Sequence, residues 1–340
     1  MLAALDKEQY VHVDSMTFDD LCDRYLEAKA RTIELTSVRW YERNLRAHVR
    51  PLIGSLKISR IKPLHIQSVI DQAIDTSRSI SRRGKSLSAP SRKNLLICIR
   101  AVFSWAIKME IARKNPATNI DAPKINPREY PEFNRSTIDL LLVAVENTEF
   151  ETIIPFAFLT GARRGEIAAL RWQDIDFRLG RFHIRRSAAI LDGDQIYKSP
   201  KSRKSIRTEA LPTYLIVLLQ KHETAQKNRY SELGIAPPNG DTIVFDREDG
   251  QPWNVNELSR RWTRFVIRAR LPHLRFHDLR HGFVSTSHDA GESLQSISLA
   301  LGHSSIGITA STYLHVFDAG KRLRANRLND YVFPDSVTNK

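Results

Sequence analysis

The chain has 340 residues, of which 52 are Lys or Arg and 38 are Asp or Glu, so its formal net charge is +14. At roughly 100–200 residues per domain this length fits about two domains, and an apolar fraction of 41% excludes a disordered tail protein. No run approaches the ~20 apolar residues of a membrane span; the first residues lack the basic start and apolar stretch of a signal peptide; and two cysteines, Cys22 and Cys98, exclude a disulfide framework and leave no Cys/His cluster for structural zinc.

The elements follow in chain order. Thr17 with Asp20 reads as a helix start, and Phe18, Leu21, Cys22, Tyr25 and Leu26 form an apolar stripe behind it. A second helix is expected from about Thr36 to Val49, ended by Pro51 and Gly54. Pro63 opens a third, with Ile66, Val69, Ile70 and Ala73 apolar. Asp75–Pro90 is rich in Ser, Arg and Gly and reads as a mobile basic loop. Ser91 is expected to cap a strong helix containing Leu95, Leu96, Ile99, Val102, Phe103, Ala106 and Ile107, stopped by Asn115-Pro116. Both cysteines fall on or beside apolar stripes, where core packing is the default. Pro123, Pro127 and Pro131 punctuate a basic linker over 121–133. Helices are then expected at Ser136–Val145, Glu151–Leu159 and Gly165–Leu170. Period-two segments follow at Phe182–Arg186 and Arg207–Leu211, with the turn signal Asp192-Gly193-Asp194 between them. The rest reads as mostly helical, fraying from about Asp330. The division is therefore a short extension (1–14), a helical module (15–120), the linker (121–133), a second module (134–330) and a tail (331–340).

The charge is unevenly spread. Residues 1–130 hold 23 Lys/Arg against 14 Asp/Glu, and residues 131–340 hold 29 against 24. A net +9 on the shorter part suggests a module that grips a polyanion; a solvated basic surface is the plainer reading. No phosphate-cradling glycine loop is present. Four pieces of the second module stand out instead. They are Thr160-Gly161-Ala162-Arg163-Arg164-Gly165-Glu166; Ser199-Pro200-Lys201-Ser202-Arg203-Lys204; His277-Asp278-Leu279-Arg280-His281; and Leu301-Gly302-His303-Ser304-Ser305, with Tyr313 ten residues after that histidine.

In these pieces the chain resembles the tyrosine recombinase (phage integrase) family. Each piece is weak singly, but the ordered set is specific, and the resemblance extends over nearly the whole chain. It implies a mainly α fold with a small antiparallel β-sheet, arranged as a two-domain C-shaped clamp. A helical core-binding domain would grip duplex DNA opposite an α+β catalytic domain. It implies cleavage and rejoining of DNA at a specific site through a 3′-phosphotyrosyl intermediate, needing neither metal nor ATP, hence no cofactor. Arg163 and Arg280 are then the clamps on the phosphate, because arginine stays charged and offers a planar fork. Tyr313 is the nucleophile, His277 a proton acceptor, His303 a phosphate ligand or a sharer of that work, and Lys201 the donor to the departing 5′ oxygen.

Plainer roles stand beside these. Glu166 either supports an active-site cation or only suits a helix N-terminus. Arg164 is read as solvated or touching DNA, and His281 as ordering its helix. Arg82, Arg83, Lys85, Arg92, Lys93, Arg203 and Lys204 are candidates for phosphate contact. Ala319–Leu328 reads as an amphipathic helix that docks on its own domain or on a neighbouring protomer. The resemblance further implies a homo-tetramer on paired sites from a monomer in solution, an accessory directionality factor, and work on the nucleoid in a bacterial cytoplasm. Only about 14 residues precede the first helix, so a separate arm-binding domain is not expected. A simple integrase, a transposon recombinase and a Xer-type resolvase remain open, and a type IB topoisomerase is the rival with shared chemistry.

Overall fold

A computed structural model describes residues 15–75, 84–126, 130–199, 205–303, 305–310 and 332. The chain divides into two compact units, Met1–Arg128 and Glu129–Lys340.

In the first unit, α1 (Phe18–Ala30) starts on a reciprocal cap. Thr17 Oγ1 accepts from the Asp20 backbone N–H at 3.2 Å, and the Asp20 carboxylate accepts from the Thr17 N–H at 2.9 Å. The second helix departs from expectation. After α2 (Leu35–Asn44) comes one wide π turn, Leu45–Val49, and then α3 (Arg50–Ile53) carries the helical path past Pro51 to Gly54. Proline lacks an N–H and crowds the carbonyl four residues back; the widened turn ahead of Pro51 takes up both defects, so only Gly54 ends the path. Pro63 opens α4 (Pro63–Gln72). The basic loop is clipped at its base, where Asp75 N–H donates to Lys85 O (2.7 Å) and Leu87 N–H to Ala73 O (2.9 Å). Residues 76–83 lie outside the described residues.

The fifth helix, α5 (Ala89–Lys108), is capped by Ser88 and not by Ser91: Ser88 Oγ accepts from the Ser91 N–H. It also stops earlier than Asn115-Pro116. Glu110 takes a left-handed φ of 57°, Ile111 N–H reaches Ala106 O (2.8 Å) and Glu110 N–H reaches Ile107 O (3.0 Å). That is a Schellman end, built without the usual glycine. Arg100 then clips the outgoing chain to the helix by donating to Ala117, Thr118 and Ile120 carbonyls. The core gathers Phe18, Tyr25, Leu45, Ile66, Ile99 and Phe103. Cys22 and Cys98 sit fully inside it as free thiols, and burial pushes the Cys98 thiol up to about 12 and Cys22 higher still.

The second unit opens with α6 (Arg135–Val145), capped by Asn134. Next come α7 (Ile153–Thr160), apolar up to its last residue, and the single turn α8 (Arg164–Ile167). Two small antiparallel sheets follow. One orders β1 (Ile175–Asp176), β2 (Arg181–Ile184) and β5 (Arg207–Ala210), with Phe182 opposite Glu209. The other is the hairpin of β3 (Ser187–Leu191) and β4 (Asp194–Lys198). The turn signal serves this hairpin. Asp192 (φ 52°) and Gly193 (φ 105°) make the primed two-residue turn that suits strand twist. The remaining helices are α9 (Thr213–Glu232), α10 (Val255–Arg268), α11 (Asp278–Asp289) and α12 (Leu294–Ala300), and residues 306–310 are again helical. The core runs from Phe133 through Phe156, Phe182, Phe245 and Trp262 to Leu279. Helices α7 and α11 approach closely because Gly282 has no side chain: a Cβ there would stand 2.5 Å from Phe158. Among the described residues no helix is long and apolar enough to cross a membrane.

Candidate active site

The site begins where α7 ends. Gly161 turns the chain in the left-handed region (φ +59°), which glycine adopts without strain. A Cβ there would also fall 2.5 Å from Phe283 and 2.9 Å from Leu301. So Gly161 serves two ends: it turns the chain and lets α11 and the 301 turn close on it.

Two residues later Arg163 caps α8. Glu166 accepts from the Arg163 backbone N–H (2.9 Å) and from its Nη1 (2.8 Å). Gly165 makes this turn possible against the hairpin, since a Cβ would meet Ala188 O at 2.5 Å. Glu166 is only 2% exposed, and a second cation reaches it: Arg207 Nη2 donates at 3.0 Å from β5. Burial alone would raise the Glu166 pKa. Arg207 and then Arg163 outweigh it, and the net shift is downward. Glu166 thus both caps the helix and fixes a site cation. The Arg207 side chain is only 6% exposed, and it is not among the residues that the sequence motifs single out. The available signal was a charged pair, Arg207 and Glu209, on the inward alternation of a strand.

Arg280, on the first turn of α11, is 3% exposed. Its Nη1 donates to Gly161 O (2.5 Å) and its Nη2 to Leu301 O (2.9 Å). Nη2 also lies 2.9 Å from His303 Nε2, and His303 Nδ1 lies 2.7 Å from Thr309 Oγ1. Burial, then Arg280, Arg163 and Arg207, hold the His303 pKa down to about 4. His277 stands at the entrance of α11, and its pKa is lowered too, by burial first and then by Arg280, Arg163 and Arg164. Both imidazoles are therefore neutral near pH 7. His281 is buried, its ring 4.0 Å from the Tyr130 ring and 5.5 Å from that of His277. Asp278 anchors the same turn by accepting from the Arg275 backbone N–H at 2.9 Å.

The structure therefore brings Arg163, Glu166, Arg280 and His303 together, with His277 feeling the same cations and Arg207 and Thr309 added. Arg164 departs from expectation: it is partly buried and donates to Ser259 Oγ of α10. Lys201, Tyr313, Arg203, Lys204, Arg82 and Arg83 lie outside the described residues, as does Ala319–Leu328. Of the other candidates, Lys85 and Lys93 are exposed, and Arg92 is half-buried at the start of α5.

Residues 133–319 match the phage integrase family, and residues 17–73 match the phage integrase N-terminal SAM-like domain. The ICEBs1 integrase of Bacillus subtilis is 31% identical over 252 residues, which is 72% of this chain and 66% of that protein. A XerC-like tyrosine recombinase of Caldanaerobacter subterraneus is 30% identical over 310 residues, 85% of this chain and 76% of that one. In three dimensions the Tn1549 transposon integrase, solved with transposon right end DNA, superposes with a TM-score of 0.75 at 19% identity. That match covers 92% of this chain and 99% of the other.

Proposed function

The chain belongs to the phage integrase family, and from that premise we propose that it is a site-specific DNA recombinase that moves a mobile element. In this reading residues 15–120 form the core-binding domain and 134–330 the catalytic domain. One observation carries it: two buried arginines from distant segments, Arg280 directly and Arg207 through Glu166 and Arg163, converge with neutral His303.

The chemistry follows from charge. A phosphodiester carries one negative charge, and attack at phosphorus concentrates more on the non-bridging oxygens. Arg163 and Arg280 hold those oxygens with donors fixed before the substrate arrives, the form of stabilisation that costs no reorganisation. Tyr313 attacks and forms the 3′-phosphotyrosyl bond as the 5′ oxygen departs. His277, kept neutral by burial and by Arg280, takes the phenolic proton. Lys201 returns a proton to the 5′ oxygen. The phosphodiester bond energy is conserved in the tyrosyl ester, so the 5′ hydroxyl of another strand can reverse the step. Exchange of two duplexes needs four such cuts, which calls for four protomers on paired sites. Work on chromosomal DNA places the protein in the cytoplasm.

The relatives named as integrases support the mobile-element reading. The XerC-like relative favours resolution of DNA multimers as the second one. The test is incubation with nicked duplexes tiled across the DNA flanking the gene, followed by denaturing electrophoresis. A covalent protein–DNA band is expected, absent in Tyr313→Phe. Retained DNA binding with no band on any duplex defeats the proposal, and relaxation of supercoils without site preference by a monomer would substitute a topoisomerase.

A further inference from the structure

The His303 ring is held at both nitrogens. A guanidinium only donates, so Nε2 accepts from Arg280. The ring is then neutral with its proton on Nδ1, and Nδ1–H donates to the Thr309 hydroxyl. This suits an empty site and is wrong for a filled one. A phosphate oxygen drawn to the Arg280–His303 edge would face a lone pair on Nε2.

We propose that Thr309 is a positioning residue whose hydroxyl lets neutral His303 shift its proton from Nδ1 to Nε2 when a phosphodiester binds. The inference rests on the recombinase reading given above. Its ground is the kind of partner at Nδ1. A backbone carbonyl or a carboxylate, the usual partner of a histidine N–H, accepts only and would lock one tautomer. A hydroxyl can accept from Nδ1–H and, after rotating, donate to bare Nδ1. The half-exposed ring exchanges with bulk water in brief excursions from Thr309: Nδ1 releases one proton, Nε2 gains one, and the charge on the ring is unchanged. Thr309 is completely buried, so its hydroxyl has no competing solvent. The other route to a donor at Nε2, a second proton on the ring, is opposed by every cation that faces it. These are Arg280 on α11, Arg163 at the α8 cap and Arg207 on β5; Glu166 alone pulls the other way, and the 306–310 turn presents uncharged Thr309.

The experiment uses Tyr313→Phe protein labelled with ¹⁵N-histidine, alone and on the nicked duplex that yields the adduct. Free protein is expected to show a protonated Nδ1 and a bare Nε2 on His303, and the complex the reverse. A complex with both nitrogens protonated, or with Nδ1 still protonated, overturns the proposal. In the Tyr313-intact protein, Thr309→Ser should cleave within about twofold of the parent, while Thr309→Val should lose about tenfold in single-turnover rate with duplex affinity kept. Cleavage by Thr309→Val at the parent rate also overturns it. If the Tyr313-intact parent forms no adduct, the recombinase reading falls; if it does and the ring keeps its tautomer, only this inference falls.

Discussion

The two arginines of the site are held in opposite ways. Arg163 is fixed by a carboxylate, Glu166, which a second buried arginine shares, so this half is an ion triad with a net charge of +1. Arg280 is fixed by neutral acceptors, the carbonyls of Gly161 and Leu301 and the His303 ring, so this half also totals +1. The charges match and the means differ. The triad spends two cations to present one, and its geometry depends on ionisation. The carbonyl-held half keeps its full charge and depends on packing. In the proposed reaction they together offer about two positive charges to a phosphodiester that gains its second negative charge only in the transition state.

Variants that strike one half at a time sharpen this contrast. The largest effect is expected from Arg280→Ala, with adduct formation down on the order of 10³-fold in single-turnover cleavage. Arg280→Lys should recover little, because one ammonium cannot serve three acceptors spread across a fork. Next comes Glu166→Gln, which leaves Arg207 buried without its counter-charge. It should cost ~3 kcal/mol in denaturant unfolding and lower cleavage by displacing Arg163. Equal stability of parent and Glu166→Gln would mean that the triad is no more than a surface pair. Gly161→Ala touches both halves through one residue; left-handed backbone and the contacts with Phe283 and Leu301 should together cost ~2 kcal/mol. The smallest effect is the pH response. Glu166 has a folded pKa below its unfolded value, so its contribution is complete above the ordinary carboxylate range and is lost as pH falls through the lowered value. His303 is also lowered, from 6.5 to about 4, so the unfolded chain takes up its proton first and stability declines as pH drops from about 6.5 to 4. Glu166→Gln should remove the first slope below pH 4.5 and leave the second; a slope unchanged in that variant would break the assignment.

What the sequence disclosed depended on how local the cause was. Thr17, Pro63 and Asn134 start helices by chemistry contained in four residues, and the pattern reads them directly or within a residue. Arg163, Arg280 and His303 were legible because their spacing repeats a known set, which local propensity could not have supplied. Features with non-local causes escape it. The π turn at Leu45–Val49 arises from a proline that lies beyond it. The end of α5 at Glu110 uses a residue that seldom takes a left-handed φ. Strands β3 and β4 lack strict alternation because Ala188 is the one buried residue of the hairpin strands, so no apolar face marks them. Arg207 and Thr309 act through partners 41 and 6 residues away, visible only once the segments meet.

The bonds of Arg280 run to a carbonyl 119 residues earlier and to another 21 residues later. A guanidinium buried to this degree is tolerable only with its acceptors in place. It cannot settle until the helix ending at Gly161 and the turn at Leu301 have both arrived. In the proposed reaction Arg280 is therefore both a phosphate clamp and a checkpoint for completion of its unit. A chain stalled before residue 301, or one locally opened at that turn, loses the clamp along with the fold. The Arg280 fork is therefore set in place only in a copy whose second unit has finished folding.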